Sequence, residues 1–351
     1  MDVRPARLVG AGSEGGLRLF DKPILALETS CDETSAAVIL GRQVLSNAVA
    51  SQIEMHQKWG GVVPEAAARA HVEALIPMIR EALSSAGLSR SEMGAVAVTN
   101  RPGLVGALSV GVTAAKALAF GLRIPFLGVH HLEGHILSTL AVGEGPPFPH
   151  VCLVVSGGHT EIVDVQAPGK YRIVGQTIDD AAGEAFDKGA RLMGLGYPGG
   201  WAIQEAARSG DPRRYPLPKG LSGETVDFSF SGLKTAVLRL VEKEGPALNV
   251  ADAAASLQST IVSVLVERAL RVVDSLGASC LTLVGGVAAN ELLRERLRAE
   301  CERAGVLFLT PPVSLCTDNA AMIGLAASWR LAEGQADDFE LEALPNADLP
   351  A

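Results

Sequence analysis

The sequence has few cysteines and few aromatic side chains. Its 351 residues include five cysteines, none of them in a C-x-x-C pair, and aromatic residues make up 4% of the chain. An odd, scattered set of cysteines argues against a disulfide framework and is typical of reduced thiols in a cytoplasmic protein. Hydrophobic residues make up 48% of the chain and 38 residues are glycine. This composition favours an α/β protein over a β-sandwich.

A signal peptide and an uninterrupted membrane span are also missing from the pattern. Residues 1–22 contain no long apolar stretch, so we expect them to form a disordered N-terminal extension. The most membrane-like stretch, residues 106–129, is interrupted by Lys116, Arg123 and Pro125. We therefore expect a buried helix and strand there, and no membrane contact.

Positive charge is scarce as well. The net charge of −9 argues against a general nucleic-acid binder. Six acidic residues and no Lys or Arg lie in residues 331–351, however, so most of the excess negative charge is at the C-terminal end. A local basic patch at Arg208, Arg213, Arg214 and Lys219 therefore stays open, with a solvated loop as its alternative.

The predicted elements fall into two similar halves. Strands are predicted at residues 24–28, 35–40, 44–50, 94–99 and 124–129, and again at 151–155, 159–165, 171–178, 281–284 and 306–309. Helical patterns are predicted at residues 64–86, 104–120, 180–193, 199–208, 232–244, 251–276, 290–304 and 318–331. Each half thus begins with a three-strand meander and continues with helices alternating with strands. This plan predicts two α/β domains with a cleft between them.

The stretch HHLEGH at residues 130–135 follows a predicted strand and opens a helix. His131 and His135 are four residues apart and share one helix face, so they could bind one divalent metal ion or simply form a solvated or core pair. Glu133 lies about 200° around the helix from His131, unlike the glutamate of an H-E-x-x-H protease. Asp318, at the start of the last predicted helix, is either an N-cap or a third ligand.

Two glycine-containing loops follow predicted strands. Ser156-Gly157-Gly158 is either an ordinary hairpin turn or a loop whose backbone N–H groups face a phosphate. Gly285-Gly286 leads towards a helix that starts at Asn290, which is either an N-cap or a ligand contact. Neither loop matches a dinucleotide fingerprint or a Walker loop, so neither generic site is predicted.

Further polar residues could complete a binding site. Asp187 lies on a predicted helix beside a Glu184–Lys188 pair, and is either a surface charge or an acceptor for ribose hydroxyls. Gly199-Gly200 would allow a ribose or base to approach the backbone. The turn after the first strand carries two adjacent carboxylates, Asp32 and Glu33.

Taken together, long segments of the chain closely resemble the TsaD family, the bacterial tRNA adenosine threonylcarbamoyltransferases formerly called glycoproteases. The segments that carry the resemblance are residues 24–38, 60–65, 130–135, 153–161, 178–200, 227–237, 283–290 and 316–324. It covers about residues 23–331. It implies two domains of the actin and sugar-kinase (ASKHA) fold, at residues 23–142 and 150–317. Residues 318–332 would pack back onto the first domain, and 333–351 would form an acidic tail.

The resemblance also implies a site. The family's metal ligands, described as iron or zinc, correspond to His131, His135 and Asp318, and we expect one divalent ion per subunit, Fe²⁺ in preference to Zn²⁺. The residues that correspond to the family's adenylate-substrate contacts are Val154, Val155, Ser156, Gly157, Gly158, Asp187, Gly200 and Asn290.

The implied reaction transfers the threonylcarbamoyl group of threonylcarbamoyl-AMP to N6 of the adenosine 3′ of the anticodon, in tRNAs that read codons beginning with A, and releases AMP. Asp32 or Glu33 is the candidate proton acceptor. The implied partners are a catalytically inactive (TsaB-like) paralogue and a small P-loop (TsaE-like) ATPase, in the cytoplasm. A metalloendopeptidase and an ATPase or kinase of the same fold class are the alternatives.

Three positions depart from the family pattern. Asn100-Arg101-Pro102-Gly103 replaces the usual G-P-G loop, Trp201 follows the glycine pair where a small residue or proline is common, and Gln204 stands where an acidic residue often approaches the ribose. These departures concern the geometry around the ribose and one loop, and leave the implied reaction unchanged.

Overall fold

Two five-stranded sheets organise the fold. The computed structural model describes residues 17–59 and 61–350. The strands of the first sheet are β1 (Ile24–Glu28), β2 (Glu33–Leu40), β3 (Gln43–Ser51), β4 (Ala95–Arg101) and β5 (Phe126–His130). The strands of the second sheet are β6 (His150–Val155), β7 (Thr160–Ala167), β8 (Lys170–Gln176), β9 (Cys280–Val284) and β10 (Leu307–Leu309).

The two sheets share one strand order. The first runs β3-β2-β1-β4-β5, and the second, read in the same sense, runs β8-β7-β6-β9-β10. In both, the first three strands are antiparallel and the last two add in parallel. A parallel pair needs a crossover connection, which explains the helices that separate these strands in the sequence. The predicted plan of two similar α/β halves is confirmed.

Ten α-helices lie in the described part of the chain. Their bounds are α1 (Ile53–Gln57), α2 (Pro64–Ala86), α3 (Val105–Leu122), α4 (His131–Leu137), α5 (Ala182–Leu192), α6 (Gly199–Ala207), α7 (Ser231–Glu244), α8 (Val250–Leu276), α9 (Glu291–Ala304) and α10 (Ala320–Ala332). The helix predicted at 64–86 has the expected ends, because Pro64 suits a first turn and Gly87 adopts the left-handed C-cap, with φ of 67°.

Strand β1 shows how the first sheet is covered on both faces. All five of its residues are buried, as expected for a strand between two helical layers. Leu25 and Leu27 pack in the core beneath α2 and α3, whereas Ile24 and Ala26 pack in the core that includes α4 and α10. The second of these cores also contains Val154 of β6, so it joins the two halves.

The last helix returns to the first sheet, as predicted. Helix α10 packs against α4, β1 and β2, and Gly324 is close to Ile39 and Ala26, where a larger residue would not fit. The alternative assignment of Asp318 as the N-cap is wrong. Asn319 caps α10, because its side chain accepts a hydrogen bond from the Met322 N–H at 3.2 Å. The Asp318 carboxylate is therefore free to face the histidines.

Residues 333–350 form an extended segment that we call the C-terminal strap. The Asp337 N–H donates to the Phe126 carbonyl at 2.9 Å, and the Leu344 N–H donates to the Asn100 carbonyl at 2.8 Å. The Tyr171 N–H, on β8 in the second sheet, donates to the Pro350 carbonyl at 3.3 Å. The predicted acidic tail thus follows the edge of the first sheet and reaches the second. The predicted domain boundaries stay a prediction.

The prediction of a disordered N-terminal extension is partly wrong. Residues 1–16 lie outside the described residues. Leu17 and Phe20, however, pack against the core that contains α10, and the Phe20 N–H donates to the Ser328 carbonyl at 2.9 Å. Apolar side chains at these two positions hold residues 17–22 against the body of the protein.

Two helices, α3 and α8, are long and apolar enough to cross a membrane when judged by length and composition alone. Of their most apolar windows, 33% and 61% of the residues are buried in the protein. Core helices of soluble proteins meet the same criterion, so this is weak support for a membrane span.

Candidate active site

Most of the predicted site residues line one cavity of about 750 Å³. It is lined from the first half by Asp32, Glu33 and His131, and from the second half by Ser156, Gly157, Gly158, Asp187, Gly200 and Asn290, together with Asp318. Val154 and Val155 do not line it, because both side chains are fully buried in the core around β6. Any contact of these two residues with a ligand would therefore have to use backbone atoms.

A cluster of His131, His135 and Asp318 stands at this cavity. The Nε2 atoms of His131 and His135 lie 3.4 and 3.1 Å from Oδ1 of Asp318, and one donor atom from each residue lies within 4.8 Å of the others. The two rings are nearly perpendicular, with centroids 4.8 Å apart. Both histidines are buried, whereas the Asp318 side chain is 23% exposed. Burial of both rings excludes the alternative of a solvated histidine pair, whereas the alternative of a pair that only belongs to the core stays open.

Local hydrogen bonds fix the helix that carries the histidines. Nδ1 of His130 accepts from the Leu132 N–H at 3.2 Å and caps α4, while Nε2 of His130 donates to the Ala347 carbonyl of the C-terminal strap at 3.1 Å. Because α4 is helical from its first residue, His131 and His135 share a face, as the four-residue spacing predicted.

The donor set fits a divalent metal ion. An ion about 2.1 Å from each donor places neighbouring ligand atoms roughly 3–3.5 Å apart, close to the two His–Asp separations above. Two imidazoles and one carboxylate suit zinc or iron, and three protein ligands leave a position open for substrate. Metal binding by His131, His135 and Asp318 stays a prediction.

His131 and the carboxylates next to it stabilise one another in their ionised forms. Burial would lower the pKa of His131, but Asp318 and Glu28 on its two sides raise it well above its ordinary value. Burial likewise opposes ionisation of Asp318, yet His131 and His135 hold the pKa of that carboxyl well below its usual range. The cluster therefore keeps Asp318 as an anion at the cavity.

The two carboxyl groups of the first turn, Asp32 and Glu33, are not equally suited to accept a proton. Burial, with the nearby Asp318 and Asp32, raises the pKa of Glu33 to about 10, so Glu33 is protonated at neutral pH. His71 holds the ends of this turn, through the Cys31 carbonyl at 3.0 Å and the Thr34 hydroxyl at 2.8 Å. A protonated carboxyl cannot accept a proton, so Asp32 is the better candidate base.

Ser156-Gly157-Gly158 is a hairpin turn, as one interpretation predicted, and phosphate binding by this turn stays a prediction. The segment is a hairpin turn between β6 and β7, closed by hydrogen bonds between Ser156 and His159, and it also lines the cavity. The first turn of α5 comes close to it, since the Gly183 N–H donates to the Ser156 carbonyl at 3.2 Å. Backbone N–H groups of a turn beside a helix N-terminus suit an anion.

Asp187 and Asn290 occupy the second half of the cavity wall. The predicted Glu184–Lys188 ion pair forms at 2.7 Å, but Asp187 is half-buried, and its Oδ1 accepts from the Gly199 N–H at 2.7 Å. Burial raises the pKa of Asp187. Asn290 is an N-cap and a cavity residue at once, because its Oδ1 accepts from the Leu293 N–H at the start of α9.

The three departures from the family pattern lie at or near the cavity. Arg101, at the end of β4, donates to Oδ1 of Asn100 at 3.0 Å. The side chain of Gln204 accepts from the Glu291 N–H at 2.8 Å, so it holds the start of α9. Trp201 lines the cavity and is 67% exposed.

The candidate basic patch is a solvated surface. Arg208 pairs with Glu205 and Arg213 pairs with Asp211, while Lys219 pairs with Glu267, and all three basic side chains are at least 59% exposed. Three of the four positive charges already have a neighbouring carboxylate, and Arg214 lies over the Tyr215 ring, so the solvated-loop interpretation fits better.

Some cavity residues were not found from the sequence. His159, Tyr197, Pro345 and Asn346 also line the cavity, and Glu28 lies directly behind His131. A charged residue at the end of the apolar strand ILALE is a local signal that could have found Glu28. Pro345 and Asn346 reach the cavity only because of where the C-terminal strap lies, so no local signal exists for them.

The protease interpretation fails on the position of Glu133. Its side chain is buried away from the cavity, where Oε1 accepts from the Tyr171 hydroxyl at 3.1 Å and Oε2 lies 3.9 Å from Arg330. A metalloprotease glutamate must reach the metal-bound water. Glu133 does not face the His131–Asp318 cluster, in agreement with its predicted direction.

Fold and site together define a class, an ASKHA-type protein with a His-His-Asp cluster in its cleft. The chain is similar in structure to HypF of T. kodakarensis, with a TM-score of 0.61 and 15% identity over 91% of this chain and 49% of that one. It is also similar to component A of the Acidaminococcus fermentans (R)-2-hydroxyglutaryl-CoA dehydratase, with a TM-score of 0.54 and 15% identity over 89% and 99% of the chains. These likenesses show the fold and confirm the predicted ASKHA architecture.

The particular family follows from sequence similarity. The family model TsaD, tRNA N6-adenosine threonylcarbamoyltransferase, matches residues 43–325. Proteins named tRNA N6-adenosine threonylcarbamoyltransferase are 53% identical in Symbiobacterium thermophilum, over 93% of this chain and 96% of that one, and 52% identical in Anaeromyxobacter dehalogenans, over 92% and 98%. The chain therefore belongs to the tRNA N6-adenosine threonylcarbamoyltransferase family, a family of transferases, and the resemblance seen in its motifs is confirmed.

Proposed function

We propose that this chain transfers the threonylcarbamoyl group of threonylcarbamoyl-AMP to N6 of the adenosine 3′ of the anticodon, in tRNAs that read codons beginning with A. The observation that supports this most is the shared cavity. The His-His-Asp cluster opens into the same space as the hairpin turn, Asp187 and Asn290, in a chain of this family. A donor with a phosphate, a ribose and a carbonyl would meet all of these groups at once.

We further propose that His131, His135 and Asp318 hold one divalent ion, Fe²⁺ in preference to Zn²⁺. When bound, such an ion supplies Lewis-acid polarisation of a carbonyl oxygen. Both histidine Nε2 atoms face Asp318 at 3.1–3.4 Å, so the three ligands are already gathered in this conformation.

The chain's own residues hold the donor in this proposal. N–H groups of the Ser156-Gly157-Gly158 turn bind the phosphate. Asp187 accepts from ribose hydroxyls, Gly200 lets the sugar approach the backbone, and Asn290 contacts the nucleoside. An exocyclic amine is a weak nucleophile, so orienting it against the donor carbonyl would supply much of the rate.

The chemical step is a direct transfer that needs no covalent enzyme intermediate. N6 of the tRNA adenosine forms a bond to the carbonyl carbon of the donor, the bond from that carbon to the phosphate oxygen breaks, and AMP leaves with the electron pair. The proton released by the amine passes to Asp32, the carboxylate of the first turn that we favour over Glu33. We also propose that the reaction takes place in the cytoplasm, with a catalytically inactive paralogue and a P-loop ATPase as partners.

Nucleoside mass spectrometry on tRNA tests this function. Cells depleted of the protein should lose N6-threonylcarbamoyladenosine, and the wild-type chain should restore it. Asp318→Asn should restore less than about a tenth of it, because the cluster loses its anionic ligand. Asp338→Asn, an exposed carboxylate of the C-terminal strap, is the matched control and should restore it fully. Unchanged threonylcarbamoyladenosine in depleted cells without a second copy would contradict the proposal.

A further inference from the structure

Glu28 is a buried carboxylate that the steps above do not use. It ends strand β1 and is fully buried. Its Oε1 accepts from the Ser30 N–H at 2.5 Å, and its Oε2 accepts from the Thr99 hydroxyl at 2.5 Å. The same Oε2 lies 3.2 Å from Nδ1 of His131. Both oxygens of Glu28 therefore have donors, and one of those donors belongs to a residue of the His-His-Asp cluster.

These contacts decide which nitrogen of His131 keeps its proton when the ring is neutral, the form in which a histidine ligates a metal ion. Both oxygens of Glu28 already accept hydrogen bonds, from the Ser30 N–H and the Thr99 hydroxyl, and a carboxylate only accepts, so Nδ1 of His131 donates to Oε2. Nε2 of His131 is then the nitrogen that faces Asp318, at 3.4 Å.

The second histidine has no such support. Nδ1 of His135 is buried without a hydrogen-bond partner among the described residues. The two histidines of α4 are thus held differently. Nδ1 of His131 also lies 3.2 Å from the Ser30 hydroxyl, but a hydroxyl can donate or accept, so Glu28 is the neighbour that selects the tautomer.

We propose, on the basis of the metal site in the proposed function, that Glu28 is a positioning residue for His131. It fixes the ring orientation and the tautomer with Nδ1 protonated, so that Nε2 offers its lone pair to a divalent cation shared with His135 and Asp318. Carboxylates that hold the far nitrogen of a ligating histidine contribute about 10–100-fold to metal affinity.

Glu28→Gln separates this role from simple packing. The amide has the size of the carboxyl group, but it has only one acceptor oxygen. If that oxygen faces His131, the amide NH₂ opposes the Ser30 N–H. If the NH₂ faces His131, Nδ1 has to accept, the proton moves to Nε2, and Nε2 no longer offers a lone pair. Either orientation weakens the hold on the ligating tautomer.

The measurement is the affinity for Co²⁺, used as a spectroscopic probe of the metal-free full-length protein. Wild type should bind one Co²⁺ and show a d–d absorption band. Glu28→Gln should bind it about 10–100-fold more weakly, with a changed band. Glu133→Gln is the matched control, since it replaces a buried carboxylate of α4 that contacts Tyr171 and Arg330 instead, and its affinity should stay within about twofold of wild type. Thermal unfolding checks that both variants fold.

The outcomes are distinct. Equal Co²⁺ affinity and spectrum in Glu28→Gln and wild type would overturn the role of Glu28 and leave the metal site standing. An equal loss in Glu28→Gln and Glu133→Gln would assign the effect to packing and overturn it too. Wild-type protein that binds no Co²⁺ would overturn both the metal site and this role, whereas the threonylcarbamoyladenosine measurement reports separately on the transferase activity.

A measurement on wild-type protein alone covers the case in which Glu28→Gln does not fold. Imidazole ¹⁵N spectra of the Zn²⁺-loaded protein should show a hydrogen-bonded proton on Nδ1 of His131 and coordination through Nε2. Coordination through Nδ1 would overturn the proposal.

Discussion

At the scale of single residues, burial raises the pKa of a carboxyl group unless a nearby positive charge lowers it again. Glu28 is fully buried beside His131, and its pKa falls below the ordinary value. Glu33 is half-buried beside other carboxyl groups, and its pKa rises to about 10. The same side chain at either end of one turn therefore serves in opposite charge states, because of what lies within a few ångströms.

Glu161 on β7 offers a test of burial acting alone. Burial raises its pKa to about 7 from an ordinary 4.5, and its Oε2 is buried without a hydrogen-bond partner. The folded state thus favours the protonated form, so stability is lost as pH rises from about 4.5 through about 7 and then levels off. Glu161→Gln carries no such cost. Its stability relative to wild type should rise by about 2 kcal/mol between pH 5 and pH 8, measured by urea unfolding.

The exposed Glu302 provides the control for that series. Glu302→Gln on the surface of α9 should track wild type at every pH. A constant difference between Glu161→Gln and wild type from pH 5 to pH 8 would show that burial of this carboxyl is not what sets its contribution.

At the scale of elements, the phosphate-binding turn proposed here depends on a close approach of backbone to backbone. Helix α5 begins against the Ser156-Gly157-Gly158 turn. A Cβ atom at Gly183 would lie 2.5 Å from the Ser156 carbonyl oxygen and 2.8 Å from Cα of Gly157. Neither neighbour is the end of a flexible side chain, so the helix start and the turn are fitted to each other.

Gly183→Ala should therefore push α5 and the turn apart. We expect a loss of about 1–3 kcal/mol in stability from overpacking, and weaker binding of AMP, measured by calorimetry. Gly232→Ala is the matched control, because a Cβ there has no atom within 4 Å, and a helical Gly→Ala change is neutral or stabilising by up to about 1 kcal/mol. Equal effects of the two substitutions on AMP binding would contradict the fitted contact.

The elements themselves were largely predictable, and the exceptions have physical reasons. The strand at 24–28 and the helix at 64–86 were predicted with the bounds that the structure gives them. The signals that predict them are local. The strand is an apolar run, and the helix has a proline in its first turn and a glycine directly after its last residue. The last helix begins at Ala320, two residues later than predicted, because Asp318 and Asn319 are both good N-caps and only packing chooses between them.

At the scale of the whole molecule, the C-terminal strap connects parts that are distant in sequence. It bonds to the first sheet at Phe126 and Asn100 and to the second sheet at Tyr171. The Gly103 N–H also donates to the Pro345 carbonyl at 3.2 Å. Pro345 itself lines the cavity, so the end of the chain helps to build one wall of the proposed site.

A chain that ends at residue 336 should show what the strap contributes. We expect the melting temperature to fall by about 3–6 °C, since several backbone hydrogen bonds of roughly 0.5–1 kcal/mol each are lost. Loss of the Pro345–Asn346 wall should also raise the KM for tRNA or donor in a reconstituted transfer assay.

Loss of negative charge is the competing explanation for such an effect. The full-length variant Glu333→Gln/Glu340→Gln removes two exposed charges and keeps the strap contacts, so it should melt like wild type. A truncated chain with wild-type melting temperature and KM would show that the strap does not support the site.

The sequence by itself determined the features that depend on a few neighbouring residues. The spacing of His131 and His135 places them on one face of α4, the glycines of residues 156–158 make a hairpin turn, and the long motifs identify the family. Helical and turn geometry repeat every few residues, so local spacing is enough to specify them.

Only the tertiary structure decided which distant groups meet. Asp318 joins the histidines across 183 residues, Glu28 reaches His131 from another strand, and Asn346 reaches the cavity from the end of the chain. These encounters depend on how α10, β1 and the C-terminal strap pack onto the sheets. Packing is set by the summed burial of many side chains, so no short stretch of sequence contains it.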